Sequence, residues 1–231
     1  KKNWVFEKHT EDELLEKGVA YYLAIRERVK ESGYQAISLI DVDGMKKLAG
    51  FPPAMIFMLL SDRDAVSTIP ENDVLGGITQ LIVRYLTGQI GAYMEFYEFM
   101  QDRILMGVPD FVPSEVVEGP VRVIPTRFGQ LSGSLLNVSK VKTGRVTLAR
   151  LASTGDRYMM HILTGEALQP RAWEEAGWEP PAPQLPSLEV VLDSPVEEFA
   201  QKVLSQHYIL CYGDQTEVLK DLCGLLDVEV I

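Results

Sequence analysis

Between Glu11 and Glu31 the apolar residues Leu14, Leu15, Val19, Tyr22, Leu23, Ile25 and Val29 recur mostly at three- and four-residue steps, which predicts an amphipathic helix. Arg26 interrupts the stripe and Gly33 marks the stop. Ala36 to Val42 (AISLIDV) reads as a buried strand with Asp41, Asp43 and Gly44 at its exit, followed by a short helix over Met45 to Ala49. After the strongly apolar PPAMIFMLL, a second strand is expected over Ala65 to Ile69. A helix follows over Val74 to Leu86, with Val74, Ile78, Leu81 and Tyr85 on one face. Helix and strand alternating in this way imply a parallel sheet flanked by helices. Ligands of such sheets sit off the carboxyl ends of the strands, where Glu71 to Gly77 would lie.

Beyond Gly119 the chain turns to short β-rich runs, VRVIPT, GSLLNVSKV, RVTLARLA and YMMHILTG, divided by turns at 142–145 (KTGR) and 153–157 (STGDR). They predict an antiparallel meander belonging to a barrel, closed by the proline-rich connector EPPAPQLP, 179 to 186. Then come strand LEVVL, the cap Asp193-Ser194 with Pro195 opening a helix, strand HYILCYG from His207, and a last helix. Asp214 and Glu217 have the spacing of a capping box for that last helix. The expected class is α/β, a parallel α/β sheet portion plus an antiparallel β-barrel-like domain. Its expected divisions are 1–118, 119–186 and 187–231, the last packing back on the first.

The stretch PENDVLGG, 70 to 77, stands where strand hands over to helix. Asp73 suits the free N–H groups and the positive end of a helix dipole. Gly76 and Gly77 each make a helix about 1 kcal/mol less favourable than alanine, so a close approach to that backbone is expected. Composition narrows the partners. Thirty-three acidic against 22 basic residues give a net charge of −11, which argues against a nucleic-acid partner. PPAMIFMLL falls far short of the ~20 residues that span a bilayer, and the start shows no signal-peptide pattern, so a soluble cytoplasmic protein is expected. Cys211 and Cys223 are two cysteines in apolar patterns and read as buried thiols. The opening at Lys1, directly on a helical segment, suggests a C-terminal piece of something longer.

The two segments STIPENDVLGGITQLIVRYLTG (67 to 88) and SQHYILCYGDQTEVLKDLCGLLDVEV (205 to 230), on either side of a β-rich middle, resemble the C-terminal half of the L-fucose isomerase family, related to the L-arabinose isomerases. END-x-x-x-G with a helix ending in LTG is the most specific part. The resemblance implies aldose–ketose isomerisation with a divalent metal, usually Mn2+, in homo-oligomers (trimers or hexamers) with sites near subunit contacts. It implies that Asp73 and His207 are metal ligands. Glu71 and Asp73 become the candidates to take and return the proton, while the metal stabilises the enediolate. Gly76 and Gly77 would let the substrate approach the helix start. Trp173 would stack on the sugar, although Trp173 and Trp178 also suit covering the barrel.

One segment departs from the family pattern. The other metal-binding carboxylate implied by the resemblance corresponds to Gly50 to Phe57, GFPPAMIF, which holds no acid. Either Glu71, Asp41 or Asp43 replaces it, or the chain is a non-catalytic sugar-binding or structural homologue. The residues alone leave plainer roles open: Asp73 as a helix cap, Glu71 as a solvated loop residue, Asp41 and Asp43 as strand terminators, and His207, His161 and His9 as structural histidines. If Asp73 and His207 act together, their side chains converge in one partly open cleft with Glu71 on its rim and Gly76 and Gly77 beneath. The isolated chain is expected to be inactive, lacking substrate contacts from upstream and from neighbouring subunits.

Overall fold

The computed structural model describes residues 4–108, 111–126, 133–170 and 186–231. After β1 (Trp4–Phe6), α1 (Asp12–Ser32) ends at Gly33, whose left-handed backbone returns its own N–H to Lys30 O and that of Tyr34 to Val29 O. The polar break in the α1 stripe has a partner. Arg26 Nε donates to Asp64 Oδ1 at 2.6 Å and the Tyr22 hydroxyl donates to Asp64 Oδ2 at 2.7 Å, tying α1 to α2 (Ala54–Asp64). The acid-free GFPPAMIF leads into α2, whose Ala54, Met55, Ile56, Phe57, Met58 and Leu60 are all buried. A helix surrounded on several sides has no polar stripe, and its sequence shows no period.

β2 (Ala36–Leu39) and β3 (Ser67–Pro70) pair in parallel on either side of α2. β2 ends three residues earlier than expected. Asp41–Lys46 forms a π-helical turn in place of the strand exit and the helix expected at Met45. α3 (Val74–Thr87) follows β3.

Among the described residues six strands close an antiparallel barrel: β4 (Ala92–Phe99), β5 (Ile104–Gly107), β8 (Gly144–Ser153), β9 (Tyr158–Leu168), β10 (Ser187–Leu192) and β11 (His207–Tyr212). Their circular order is β10, β5, β4, β11, β8, β9 and back to β10. The molecule is thus mixed α/β with a barrel. The barrel takes β4 and β5 from before the boundary expected at 118, and β10 and β11 from beyond 186. β6 (Val121–Thr126) and β7 (Ser134–Asn137) leave the expected meander and form a separate three-stranded sheet with β1. Of the connector 179–186 only Pro186 lies within the described residues, and Trp173 and Trp178 lie outside them.

Alternation along the strands sends Met94, Met106, Leu148, Val190 and Leu210 into the main core. One end is plugged by Phe199 of α4 (Val196–Lys202), whose ring meets Phe96, Phe99, Tyr208 and His161. Asp193 does not cap α4: its carboxylate is held by Arg145 and Thr164, and Pro195 precedes the helix. α5 (Thr216–Leu226) lays Leu219 and Cys223 over Ala149, Leu151 and Met160 on the barrel exterior, and β12 (Glu229–Val230) adds to β9 in parallel. The expected capping box is absent from α5. Asp214 accepts the Thr216 N–H, at 3.0 Å, and faces Arg145, while Glu217 pairs with Lys220. Cys211 and Cys223 are buried free thiols. No described helix is long and apolar enough to cross a membrane.

Phe199 is 1% exposed and its ring packs against Phe96, Phe99, Tyr208 and His161. Phe199→Ala is expected to cost about 3–5 kcal/mol, read as a fall in the urea midpoint at unchanged m-value.

Candidate functional site

The carboxyl end of β3 meets the barrel rim at Asp73. Pro70 ends the strand, and Glu71 and Asn72 then take left-handed backbone angles, φ 64° and 60°. Two successive non-glycine residues there hold strain of about 1–3 kcal/mol each. The turn delivers Asp73 to the N-cap of α3, where Oδ1 accepts the Gly76 N–H at 2.9 Å. The cap is half of its work. Arg150 Nη2 also donates to Oδ1 at 2.9 Å, Arg150 Nη1 donates to Oδ2, and the Tyr93 hydroxyl donates to Oδ2 at 2.9 Å. A carboxylate offers about four acceptor directions, and all are in use.

Burial pushes the Asp73 carboxyl up. Arg150, Gly76 and Tyr93 more than offset this and hold it below the usual carboxylate range. Burial, and then the Asp73 charge, push the Tyr93 phenol up, so it remains the donor. Tyr93 also supports His207. The two rings stack with centroids 4.4 Å apart and planes 11° from parallel. His207 opens β11, its ring is buried, and its carbonyl accepts Arg150 Nη1 at 3.3 Å. Burial lowers the His207 imidazole to about 4, against the pull of Asp73 and Asp41 and with the help of Arg150, so it is neutral at pH 7. Its Nδ1 stands 3.8 Å from Glu71 Oε2 on the exposed rim. Asp41, whose charge also reaches His207, forms a buried ion pair with Lys46 at 3.0 Å.

The structure brings Asp73, Glu71 and His207 together at the end of β3, in an arrangement that does not suit a divalent ion. The Asp73 oxygens face a guanidinium and two other donors, and a second cation there would meet the Arg150 charge. Among the described residues no group of three or more His, Cys, Asp or Glu side chains is placed to hold a metal. Gly76 and Gly77 are buried and give no access to a ligand. A Cβ on Gly76 would stand 2.5 Å from Asp73 Oδ2 and 2.9 Å from the Tyr93 ring, so the protein's own side chains use the close approach expected for substrate. A Cβ on Gly77 would stand 3.7 Å from Ile69, an ordinary contact. Asp43 is exposed beside Lys47, and His9 is exposed beside Glu11. His161 is structural. Its Nδ1 lies 2.9 Å from the Tyr208 hydroxyl, which itself accepts the Leu204 N–H at 3.0 Å.

Sequence reasoning missed Arg150, Tyr93 and Lys46. For Arg150 a signal exists: in β8 it shares the period-two register of Val146 and Leu148, and a charge in an inward register calls for a buried partner. Compared with protein-family models and with curated proteins, the chain matches none.

The glycines separate. Gly76→Ala must displace Asp73 or Tyr93 and is expected to cost about 1–3 kcal/mol, whereas Gly77→Ala should gain up to about 1 kcal/mol, both read from urea unfolding. A second expectation concerns acid. His207 and His161 both sit at about 4 when folded against about 6.5 unfolded, mainly through burial. Between those values the unfolded chain binds more protons, so stability is full above about pH 6.5 and falls as pH drops toward 4. The loss is of order 3 kcal/mol per imidazole at the acid end. Urea midpoints measured across that window should decline, and less so in His207→Gln; a flat profile would contradict neutral burial of the two rings.

Proposed function

We propose that the strand-end cluster around Asp73 binds a monosaccharide without a divalent cation, in a protein built like the C-terminal half of the L-fucose and L-arabinose isomerases. The observation that carries this is the occupancy of Asp73: Arg150 gives the carboxylate the positive charge that a metal would otherwise supply. Sugar as the ligand class rests on the likeness of segments 67–88 and 205–230 to that family. Glu71 and Asn72 are exposed in the turn after β3, where a carboxylate and an amide can meet sugar hydroxyls. On this reading β2 and β3 belong to a parallel α/β sheet portion, which their parallel register and the α2 crossover support. With Asp73 committed to Arg150, binding rather than isomerisation is the output.

A second reading, Mn2+-dependent aldose–ketose isomerisation in the intact homo-oligomer, is favoured by one observation. Glu71, Asp73 and His207 converge although 134 positions separate the last two. It requires Arg150 to release Asp73.

Metal content and calorimetry divide the two. Protein purified without chelator is expected to carry far less than one transition metal per chain, and to bind at least one of L-fucose, D-arabinose and L-arabinose equally well in EDTA. Glu71→Ala should weaken that binding. Stoichiometric Mn2+ that disappears in Asp73→Ala, with Mn2+-dependent turnover, would establish the second reading instead. Failure of the 231-residue chain to bind any sugar of a broad panel would end the first reading.

A further inference from the structure

The imidazole of His207 is more than nine-tenths buried, yet neither ring nitrogen makes a hydrogen bond among the described residues. Its main chain is provided for: the N–H donates to Ser205 Oγ at 3.4 Å and the carbonyl accepts Arg150 Nη1. Tyr93 covers one face of the ring. A neutral imidazole carries one N–H and one lone pair, and burying them without partners costs stability. A polar group left so in a native structure calls for an explanation.

Its neighbour narrows the use. Nδ1 stands 3.8 Å from Glu71 Oε2, too far for a direct hydrogen bond but close enough for one oxygen atom to sit between them, about 2.8 Å from each. The carboxylate favours the hydrogen on Nδ1. An oxygen so placed accepts that N–H and offers its own proton to Glu71. The other carboxylates of the cluster are held by cations, Asp73 by Arg150 and Asp41 by Lys46, and neither is exposed as Glu71 is. A carboxylate that takes a proton, beside a neutral imidazole that donates to the oxygen losing it, is an arrangement that serves proton transfer.

The geometry points to a chemical step at this pair: interconversion of the anomers of the bound sugar, with no cofactor. It rests on the sugar reading above and goes beyond binding. Among sugar hydroxyls only the anomeric one belongs to a hemiacetal, so only there does loss of the proton open the ring. Glu71 takes the proton from O1 while the His207 Nδ1–H supports the developing charge. The O1 electron pair forms the C1 carbonyl, the C1–O5 bond breaks, and O5 takes a proton from solvent at the rim as Glu71 returns its own. Rotation about C1–C2 and the reverse steps close the ring on the other face. The sugar remains an aldose and no electrons are gained or lost.

Polarimetry of the 231-residue chain in EDTA tests the step, with a freshly dissolved single anomer of L-fucose, D-arabinose and L-arabinose as probes and calorimetry of the same sugars beside it. For a sugar that binds, the optical rotation should relax about a hundredfold faster than in matched buffer, and the rate should saturate with sugar concentration. Glu71→Gln changes an exposed side chain and keeps an acceptor, so it should retain the fold and most of the affinity but relax at the buffer rate. His207→Gln should lose the acceleration too, with circular dichroism reporting its fold. His9→Gln, exposed and outside the cluster, should match wild type. A sugar that binds by calorimetry yet relaxes at the buffer rate overturns this inference and leaves the binding reading standing. No binding in calorimetry ends the binding reading and this one with it. Acceleration that survives Glu71→Gln also overturns the inference, since other surface groups would then be responsible.

Discussion

The ion pair between Asp73 and Arg150 is the constraint around which the rest of the site is arranged. It joins the first turn of α3 to the rim of the barrel, two elements formed 77 positions apart. A buried pair adds little net stability over an apolar pair of the same shape, but it is exacting about geometry, because an uncompensated buried charge costs several kcal/mol. That exactness is visible in its surroundings. Gly76 is glycine because the carboxylate lies against it, Tyr93 fills the remaining acceptor direction, and Arg150 also reaches the carbonyl of the residue whose ring Tyr93 supports. The left-handed turn at Glu71 and Asn72 is the conformational cost of bringing Asp73 there.

The same pair explains how a likeness in sequence and a difference in chemistry coexist. Acidic and imidazole side chains gather off the strand ends where ligands of α/β sheets are found. Three carboxylates, Asp41, Glu71 and Asp73, are answered by two cations, Lys46 and Arg150, with His207 kept neutral by burial. The cluster is nearly balanced by its own residues. Glu71 is half exposed on the rim, 3.8 Å from the His207 ring.

Where the pattern of the chain revealed the structure, contacts were local or strictly periodic. Gly33 ends α1, and RVTLARLA and YMMHILTG form a hairpin around 153–157. Where it did not, the deciding partner was distant. VRVIPT looks like its neighbours in the meander but pairs with β1, more than a hundred positions earlier. PPAMIFMLL gave no period because α2 is buried on most sides. For α3 the period was correct and the face was not: Val74, Ile78 and Tyr85 are exposed. The barrel exterior presents backbone groups as well as apolar side chains, so Thr79 accepts the Leu151 N–H at 3.0 Å and Gln80 donates to Gly91 O at 2.7 Å. The inward side thus combines these hydrogen bonds with the apolar contacts of Leu75, Ile82, Val83 and Leu86. Asp73 could be recognised as a cap from the sequence, but its guanidinium partner could not, because no local rule links residue 73 to residue 150.

The circular order of the barrel also sets an order in time. β8 and β9 are joined by a short turn and can pair within microseconds, as hairpins do. β4 is made early, yet its neighbour β11 lies more than a hundred residues later, and loop closure over that distance is slow. Until His207 to Tyr212 arrive, AYMEFYEF presents an unpaired apolar edge, with Tyr93 in it lacking the His207 ring that it stacks on. The hazard for this chain during synthesis is therefore strand exchange at β4, and the segment near the C-terminus is the one that ends it.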